Sequence, residues 1–201
     1  MEKTFLNLEK ECPAKCQYIY NCDRLPTEVI KHNDKQIDIL FYGIGSGVRE
    51  SELKQAFVGP AGCYLRSVIK HLWDTYKIFN IALTNNVRNH PLDSNNRNRE
   101  PTLDEISLCK HHLEHDIDRL KPKVIIPLGR CAASTFYNFG DLGIGKIRGS
   151  IYPIRINDVK YQYLPTYHPS FLLRTYGKFI PANNQSFDIK FIDDIKLALS
   201  L

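Results

Sequence analysis

The chain has 201 residues, of which 43% are hydrophobic, and this composition suits one compact domain and excludes a fibrous or disordered chain. Its formal net charge of +5 is compatible with a nucleic-acid partner but does not require one. No apolar run approaches the roughly 20 residues of a membrane-spanning helix, and the charged N-terminus lacks the apolar core of a signal peptide. We therefore expect a cytoplasmic, monomeric protein with one domain over residues 1–201 and no membrane association.

Strand and helix patterns alternate along the chain. Apolar runs predict strands at 37–47, 79–86, 123–129 and, as one or two strands, within 150–170. Helical periodicity predicts helices at 61–73, 102–120, 130–139 and 184–201. Thr102 followed by Glu105 is a capping-box pattern that places the start of the second of these helices.

This alternation predicts an α/β fold, a three-layer α/β/α sandwich around a central, largely parallel four-stranded sheet. Ligand sites in such sheets lie at the carboxyl ends of the strands. Three polar or flexible features follow strand patterns here: the glycine turn after Tyr42, the amides after Leu83 and a histidine after Leu164. We expect these features to meet at one edge of the sheet.

The histidine belongs to an unusual segment, "TYHPSFLLR", residues 166–174. Pro165 and Pro169 restrict the backbone on both sides of His168, since the proline ring fixes φ. Two leucines and an arginine follow directly. This arrangement indicates a rigidly held hydrogen-bond donor beside an apolar and cationic surface.

Five segments, in order, resemble the successive motifs of the uracil-DNA glycosylase superfamily, and they are closest to its iron–sulfur members, family 4. They are "GIGSGVRESELKQAFVGPAG" (43–62), "LTNNVRNHPLDSNNRNREPTLDEISLC" (83–109), "KPKVIIPLGRCAA" (121–133), "KIRG" (146–149) and "TYHPSFLLR" (166–174). The glycine turn contains neither a P-loop motif nor GxGxxG, which argues against a nucleotide-binding enzyme.

The resemblance implies a flipped-base pocket in which fixed donors stabilise the negative charge of the departing base. His168 would donate to the base O2, Asn85 would pair with its O4 and N3 edge, and Phe57 would stack on its face. The turn formed by Gly43, Ile44, Gly45 and Gly47 would approach the base and the sugar.

The resemblance also implies contacts with the DNA backbone and the base stack. Leu172 or Leu173 would wedge into the gap left by the flipped nucleotide. Arg174 would hold a phosphate. The additional candidates for DNA contacts are Ser170, Arg97, Arg99, Lys146 and Arg148.

One departure from the family motif concerns the residue that would orient the attacking water. The family turn begins Gly-Glu-Ala-Pro-Gly, whereas this chain has Ile44 at the acidic position. An isoleucine cannot orient water, so Glu50 or Ser46 would have to act instead, or the reaction would rest on leaving-group stabilisation. The departure also leaves open a different base or a loss of catalysis.

The second departure concerns the cysteines. Family 4 supplies one cluster ligand from the position that is Asn89 here. The N-terminus, however, offers Cys12, Cys16 and Cys22, and with Cys109 these make four thiolates, the number that a [4Fe–4S] cluster usually takes. Zinc, or no metal at all, remains an alternative. Cys63 and Cys131 are expected in the core.

The sequence therefore predicts a monofunctional DNA glycosylase that flips out uracil or another modified pyrimidine, hydrolyses its N-glycosidic bond and leaves an abasic site. One alternative is an enzyme specific for a bulky hypermodified base, such as those of phage DNA. Another is an inactive member of the superfamily that binds DNA or protein through the same cleft.

Overall fold

The computed structural model describes residues 1–6, 24–175 and 188–201. Its strands are β1 Glu2–Phe5, β2 Glu28–Lys31, β3 Ile39–Gly45, β4 Ile81–Val87, β5 Val124–Pro127, β6 Tyr152–Ile156 and β7 Val159–Tyr163. Its helices are α1 Val48–Leu53, α2 Pro60–Thr75, α3 Leu103–Leu120, α4 Arg130–Ala133, α5 Ile144–Ile147, α6 Pro169–Thr175 and α7 Ile189–Leu199. No helix in this part of the chain is long and apolar enough to cross a membrane.

The strands form one sheet in the order β1-β2-β4-β3-β5-β7-β6. The four central strands, β4, β3, β5 and β7, run parallel. The prediction of a parallel four-stranded centre is therefore confirmed. Antiparallel pairing adds β2 and β1 on one side and β6 on the other, so the described sheet is mixed and has seven strands.

Two hydrophobic clusters separate the sheet from its two helical layers. One face of the sheet packs against α2, α6 and α7, with residues such as Phe41, Leu65 and Phe191 fully buried. The other face packs against α3, α4 and α5, with Tyr42, Leu113 and Ile147 buried. Alternating residues of β3 enter opposite clusters, as the two-residue period of a strand requires. The three-layer architecture is the one that the alternating sequence pattern predicts.

Local chemistry fixes two of the predicted boundaries. The Thr102 hydroxyl accepts from the Glu105 amide at 3.2 Å, and the Glu105 carboxylate accepts from the Thr102 amide at 2.8 Å. The predicted capping box is thus confirmed. The predicted helix over 130–139 is wrong beyond Ala133, because the chain there turns to pack Phe136 edge-on against Tyr42 and Tyr163.

Candidate active site

The carboxyl ends of β3 and β4 and the segment after β7 enclose a cavity of about 480 Å³. The predicted site residues on its lining are Gly45, Ser46, Gly47, Glu50, Phe57, Asn85, Arg99, His168 and Ser170. Parallel strands bring these distant segments together, since their carboxyl ends share one edge of the sheet. The cavity could enclose a small planar ligand such as a nucleobase.

Gly43 does not line this cavity, but it makes room for two side chains that do. A Cβ at this position would lie 2.5 Å from Asn85 Oδ1 and 3.2 Å from Phe57 Cζ. Asn85 is 4% exposed, and within the described parts of the chain its side-chain amide makes no hydrogen bond. Buried amides are normally paired. The side chain is therefore free to pair with a ligand in the cavity.

Hydrogen bonds fix the orientation and the tautomer of His168. Its Nδ1 accepts from the backbone N–H of Ser170 at 3.1 Å and lies 2.7 Å from the Ser170 hydroxyl. Because a backbone N–H can only donate, Nδ1 carries no proton and the proton resides on Nε2. Burial, reinforced by the positive charge of Arg174, lowers the pKa of His168 to about 4. At neutral pH the ring is an uncharged Nε2–H donor.

Glu50 lies between two glycines on the cavity wall. Its Oε1 accepts from the backbone amides of Val58 at 3.0 Å and Gly59 at 2.8 Å. Its Oε2 faces Gly47, where a Cβ would approach it to 2.8 Å. The carboxylate is thus held in place by one oxygen while the other stays available on the wall of the cavity.

Ile44 and Ser46 are placed differently from Glu50. Ile44 packs against the α3 side of the sheet and lines an adjoining cavity of about 310 Å³, not the 480 Å³ cavity. The two cavities share Gly45, Ser46, Arg99, Glu100, His168 and Ser170. The Ser46 hydroxyl is buried without a partner in the described chain. It therefore has no access to water in this conformation.

Two of the candidate DNA contacts are not exposed in the structure. Leu172 is 1% exposed and belongs to the core beneath α6, so it cannot insert into DNA without unpacking that helix. Arg148 binds both carboxylate oxygens of buried Asp194 and the carbonyl of Lys190. Its side chain is 16% exposed and its charge is neutralised, so it ties the C-terminal helix to the site rather than facing a phosphate.

Most of the other candidate DNA contacts are exposed or line the cavities. Arg174 is exposed and lines the smaller cavity, and Leu173 is half-buried. Arg97 and Lys146 are exposed. Arg99 lines both cavities, but both of its terminal nitrogens bind the Glu105 carboxylate, at 2.7 and 2.6 Å. Arg99 therefore mainly connects the loop before α3 to that helix.

Of the four predicted cluster ligands, Cys12, Cys16 and Cys22 lie outside the described residues. Cys109 is buried on α3. Leu25, three positions after Cys22, bonds through its amide to the Arg88 carbonyl at 3.0 Å. The Arg88 guanidinium reaches Asp116 of α3 at 2.6 Å. The chain therefore enters the described fold beside the helix that carries Cys109, which fits a shared thiolate site.

The remaining cysteines are not where the sequence predicted them. Cys63 and Cys131 are exposed rather than in the core. Within the described ranges, no group of three histidine, cysteine or acidic side chains is placed to hold a metal ion. Any cluster would thus need the N-terminal cysteines.

Sequence reasoning missed several residues of the cavity wall. Asn98, Glu100, Gly59 and Gly62 line it beside the predicted set. Gly62 admits no side chain, because a Cβ there would lie 2.0 Å from the Phe57 carbonyl carbon. The spacing of the glycines in "VGPAG" could have identified Gly59 and Gly62, since two glycines around a helix start indicate close backbone contact.

Fold and cavity together define an α/β protein with a base-sized pocket at the carboxyl edge of a parallel sheet. The family model of the uracil DNA glycosylase superfamily matches residues 30–196. The chain therefore belongs to the uracil DNA glycosylase superfamily, as its motifs predicted.

Its curated relatives include three type-4 uracil-DNA glycosylases. The protein of Sulfurisphaera tokodaii is 35% identical over 138 residues, which cover 66% of this chain and 60% of that protein. The protein of Saccharolobus solfataricus is 33% identical over 168 residues, covering 82% and 76% of the two chains. That of Thermotoga maritima is 33% identical over 146 residues, covering 73% and 71%. The resemblance to family 4 is thereby confirmed.

Proposed function

We propose that this chain is a uracil-DNA glycosylase that hydrolyses the N-glycosidic bond of uracil in DNA and leaves an abasic site. The observation that carries the proposal is His168, held as a neutral Nε2–H donor on a cavity that Asn85 and Phe57 also line. The names of the relatives support the same activity. One domain over residues 1–201 is part of the proposal.

The base is recognised by its polar edge and its face. The unpaired Asn85 amide offers a donor and an acceptor, which complement O4 and N3–H of uracil. Phe57 offers an apolar ring on the cavity wall for the face of a flipped base. The donor from His168 completes the site at O2, where negative charge develops as the bond to the sugar breaks.

Water attack is assigned to Glu50 rather than to Ile44 or Ser46. Ile44 lies off the base cavity, and the Ser46 hydroxyl is enclosed. Glu50 presents one carboxylate oxygen whose position is fixed by the bonds to Val58 and Gly59. Stabilising the leaving group is the larger task, because the water meets a sugar that already carries most of the positive charge.

DNA is held by exposed cations and by α6. Arg174, with Arg97 and Lys146, faces solvent and supplies phosphate contacts. Ser170 lies at the mouth of both cavities, and its hydroxyl serves His168. Leu173 takes the wedge role, because Leu172 is enclosed in the core.

A second candidate substrate is a pyrimidine with a bulky substituent. The adjoining cavity of about 310 Å³ meets the base cavity at His168 and Gly45, so a substituent could extend into it when the base is turned from the orientation that places O2 on His168. Ile44, which lines this space, makes it less polar than a carboxylate would. Uracil remains the primary assignment because Asn85 and His168 satisfy its polar edge without further groups.

One incubation series tests the proposed function. Purified protein is mixed with single-stranded and duplex oligonucleotides carrying uracil, a bulky 5-substituted pyrimidine or thymine, and abasic sites are then cut with alkali. We expect strand cleavage at uracil and none at thymine. Cleavage at the bulky base alone would favour the second candidate. Binding without an abasic product from any base would show the protein to be a binder and would refute the proposal.

We further propose that Cys12, Cys16, Cys22 and Cys109 hold a [4Fe–4S] cluster with a structural role. When bound, the cluster would tie the N-terminal segment to α3, away from the base cavity. Supporting this, Arg88 links the chain at Leu25 to the helix of Cys109. Glycosidic hydrolysis transfers no electrons, so the reaction itself needs no redox centre.

The cluster proposal predicts a brown protein after anaerobic purification, with visible absorbance and about four irons per chain, the content of one such cluster. Cys109→Ala should lower the iron content sharply, because one thiolate is lost from a buried site. Cys131→Ala is the matched control, since Cys131 is exposed on α4. Stoichiometric zinc, or equal iron loss in both variants, would contradict the assignment.

A further inference from the structure

Phe57, the stacking aromatic of the proposed site, has an unfavourable backbone conformation. Its φ is +54°, in the left-handed region that side chains other than glycine rarely adopt. The turn also presses onto the start of α2, where Gly62 admits no Cβ beside the Phe57 backbone. A strained conformation persists only when surrounding contacts over-determine it. The contacts that hold this turn are therefore of functional interest.

On the carbonyl side, the turn is held by a cation. Arg66 of α2 donates from Nε to the Phe57 carbonyl at 2.8 Å and from a terminal nitrogen to the Ala56 carbonyl at 2.8 Å. Two consecutive carbonyls thus converge on one guanidinium. This geometry needs the planar, multidentate donor that only arginine provides.

Glu28 of β2 fixes that guanidinium. Both of its carboxylate oxygens bind Arg66, one of them at 3.1 Å. Gln55, at the start of the turn, donates to the same carboxylate at 2.8 Å, and Lys3 of β1 lies 3.0 Å from it. The Glu28 side chain is fully buried, so its charge depends on these partners. Hydrogen bonds and the charge of Arg66 hold its pKa below the usual value despite burial.

On the amide side, the same turn is held by an anion. Glu50 accepts from the amides of Val58 and Gly59, the two residues that follow Phe57. The peptide groups around Phe57 therefore have their carbonyls on Arg66 and their amides on Glu50. We name this arrangement the Phe57 clamp: Glu28, Arg66 and Glu50 with the turn 55–59.

We propose that Arg66, oriented by Glu28, is a positioning residue that sets the Phe57 ring against the flipped base. Through Glu28, strand β2 thereby influences the affinity for the base. The inference rests on the proposed function, because it assigns Arg66 a role through the stacked pyrimidine. It goes beyond that function by making a residue outside the cavity a determinant of base binding. Arg66 does not line the 480 Å³ cavity itself.

The experiment combines Arg66→Met with Phe57→Ala in a double-mutant cycle. Methionine keeps an unbranched apolar stem but removes every donor. We expect Arg66→Met to slow single-turnover cleavage by roughly tenfold to a hundredfold, because a small displacement of a positioning group has effects of this size on a rate. Inhibition by free uracil should weaken as well. In the Phe57→Ala background the same change should have little effect, since coupled residues are not additive.

Three variants separate positioning from folding. Lys70 lies one turn further along α2, in an exposed pair with Asp74. Lys70→Met should leave the cleavage rate and the inhibition by free uracil unchanged. Arg66→Lys should restore only part of the loss, because an ammonium cannot bridge both carbonyls and Glu28. Arg66→Met combined with Glu28→Gln also removes the buried charge that loses its Arg66 partner, so this chain should fold and still show the defect.

Hydrogen exchange supplies a readout without catalysis. Amides of residues 56–59 should exchange faster in Arg66→Met than in the parent chain, while α2 beyond Leu72 is unchanged. The positioning role would be overturned if Arg66→Met slowed cleavage as much in the Phe57→Ala background as in the parent chain. Unaltered inhibition by free uracil would overturn it as well. A parent chain that releases no base from any oligonucleotide would instead refute the proposed function, and the exchange of residues 56–59 would still decide whether the clamp holds the turn.

Discussion

His168→Ala should lower the single-turnover rate of uracil release by about 10²–10³, the usual effect of removing one donor to a developing oxyanion. This corresponds to roughly 3–4 kcal/mol of transition-state stabilisation. DNA affinity should change much less, because the donor gains strength only as charge builds on the base. Rates are measured under enzyme excess on a uracil duplex, and affinity is measured by titration of the same duplex.

Ser170→Ala provides the matched control. It removes the hydroxyl beside Nδ1 but keeps the backbone N–H that fixes the tautomer of His168. Its rate should stay far closer to that of the parent chain. An unchanged melting transition in His168→Ala would show that the fold is intact. If His168→Ala cleaves uracil as fast as the parent, the leaving-group role is wrong.

The pH dependence of the rate follows from the same histidine. Its pKa is lowered to about 4, first by burial and then by Arg174, so the ring is neutral throughout the physiological range. The rate should therefore show no limb from His168 near pH 6.5 and should fall only as the pH approaches 4, when Nδ1 is protonated and loses the Ser170 N–H bond. Arg174→Ala removes a positive charge, so this limb should move to higher pH.

Stability changes with pH in the corresponding direction. The folded chain disfavours the imidazolium of His168, whereas the unfolded chain accepts a proton near the ordinary pKa of 6.5. The unfolded state therefore binds more protons between about pH 4 and 6.5, and the contribution of this group to the free energy of unfolding falls as pH falls through that window.

The parallel centre of the sheet was predictable because local signals agreed. Apolar runs gave β3, β4 and β5, and the capping box at Thr102 is complete within four residues. The outer strands β1 and β2 have four residues each and were not predicted. Such short segments acquire their structure from pairing with a neighbour, which sequence periodicity does not report.

The candidate site was predictable as a set of residues but not in its geometry. Strand-end chemistry pointed to Asn85 and His168, and both line one cavity. The ion pair between Arg148 and Asp194 joins residues 46 positions apart, so the sequence could not show that the charge of Arg148 is neutralised. The left-handed backbone of Phe57 depends likewise on Arg66 and Gly62, which act only in the folded chain.

The two adjacent leucines of α6 show why the sequence could not choose between them for the wedge. Neighbouring residues on a helix point about a quarter-turn or more apart, so Leu172 and Leu173 meet the core to different extents. Which of the two is more deeply buried is decided by the packing of α6 against the rest of the fold. The structure buries Leu172 at 1% exposure in the core and leaves Leu173 half-buried.

Leu172→Ala should accordingly destabilise the fold by about 2–5 kcal/mol, the usual effect of truncating a fully buried leucine. For a chain of this length each kcal/mol lowers Tm by about 2–4 °C. The loss should appear in thermal and denaturant unfolding without DNA. Below the lowered transition, cleavage of uracil in single strands and in duplexes should decline by the same factor, because Leu172 touches neither strand.

Leu173→Ala is the internal comparison one residue along the same helix. Its side chain is only half-buried, so Tm should fall less than in Leu172→Ala. If Leu173 fills the gap left by the flipped nucleotide, its loss should slow cleavage in paired duplex and spare single strands, where little unstacking is required. The opposite result, an unchanged Tm and a duplex-specific defect in Leu172→Ala, would return the wedge to Leu172 and require α6 to turn on binding DNA.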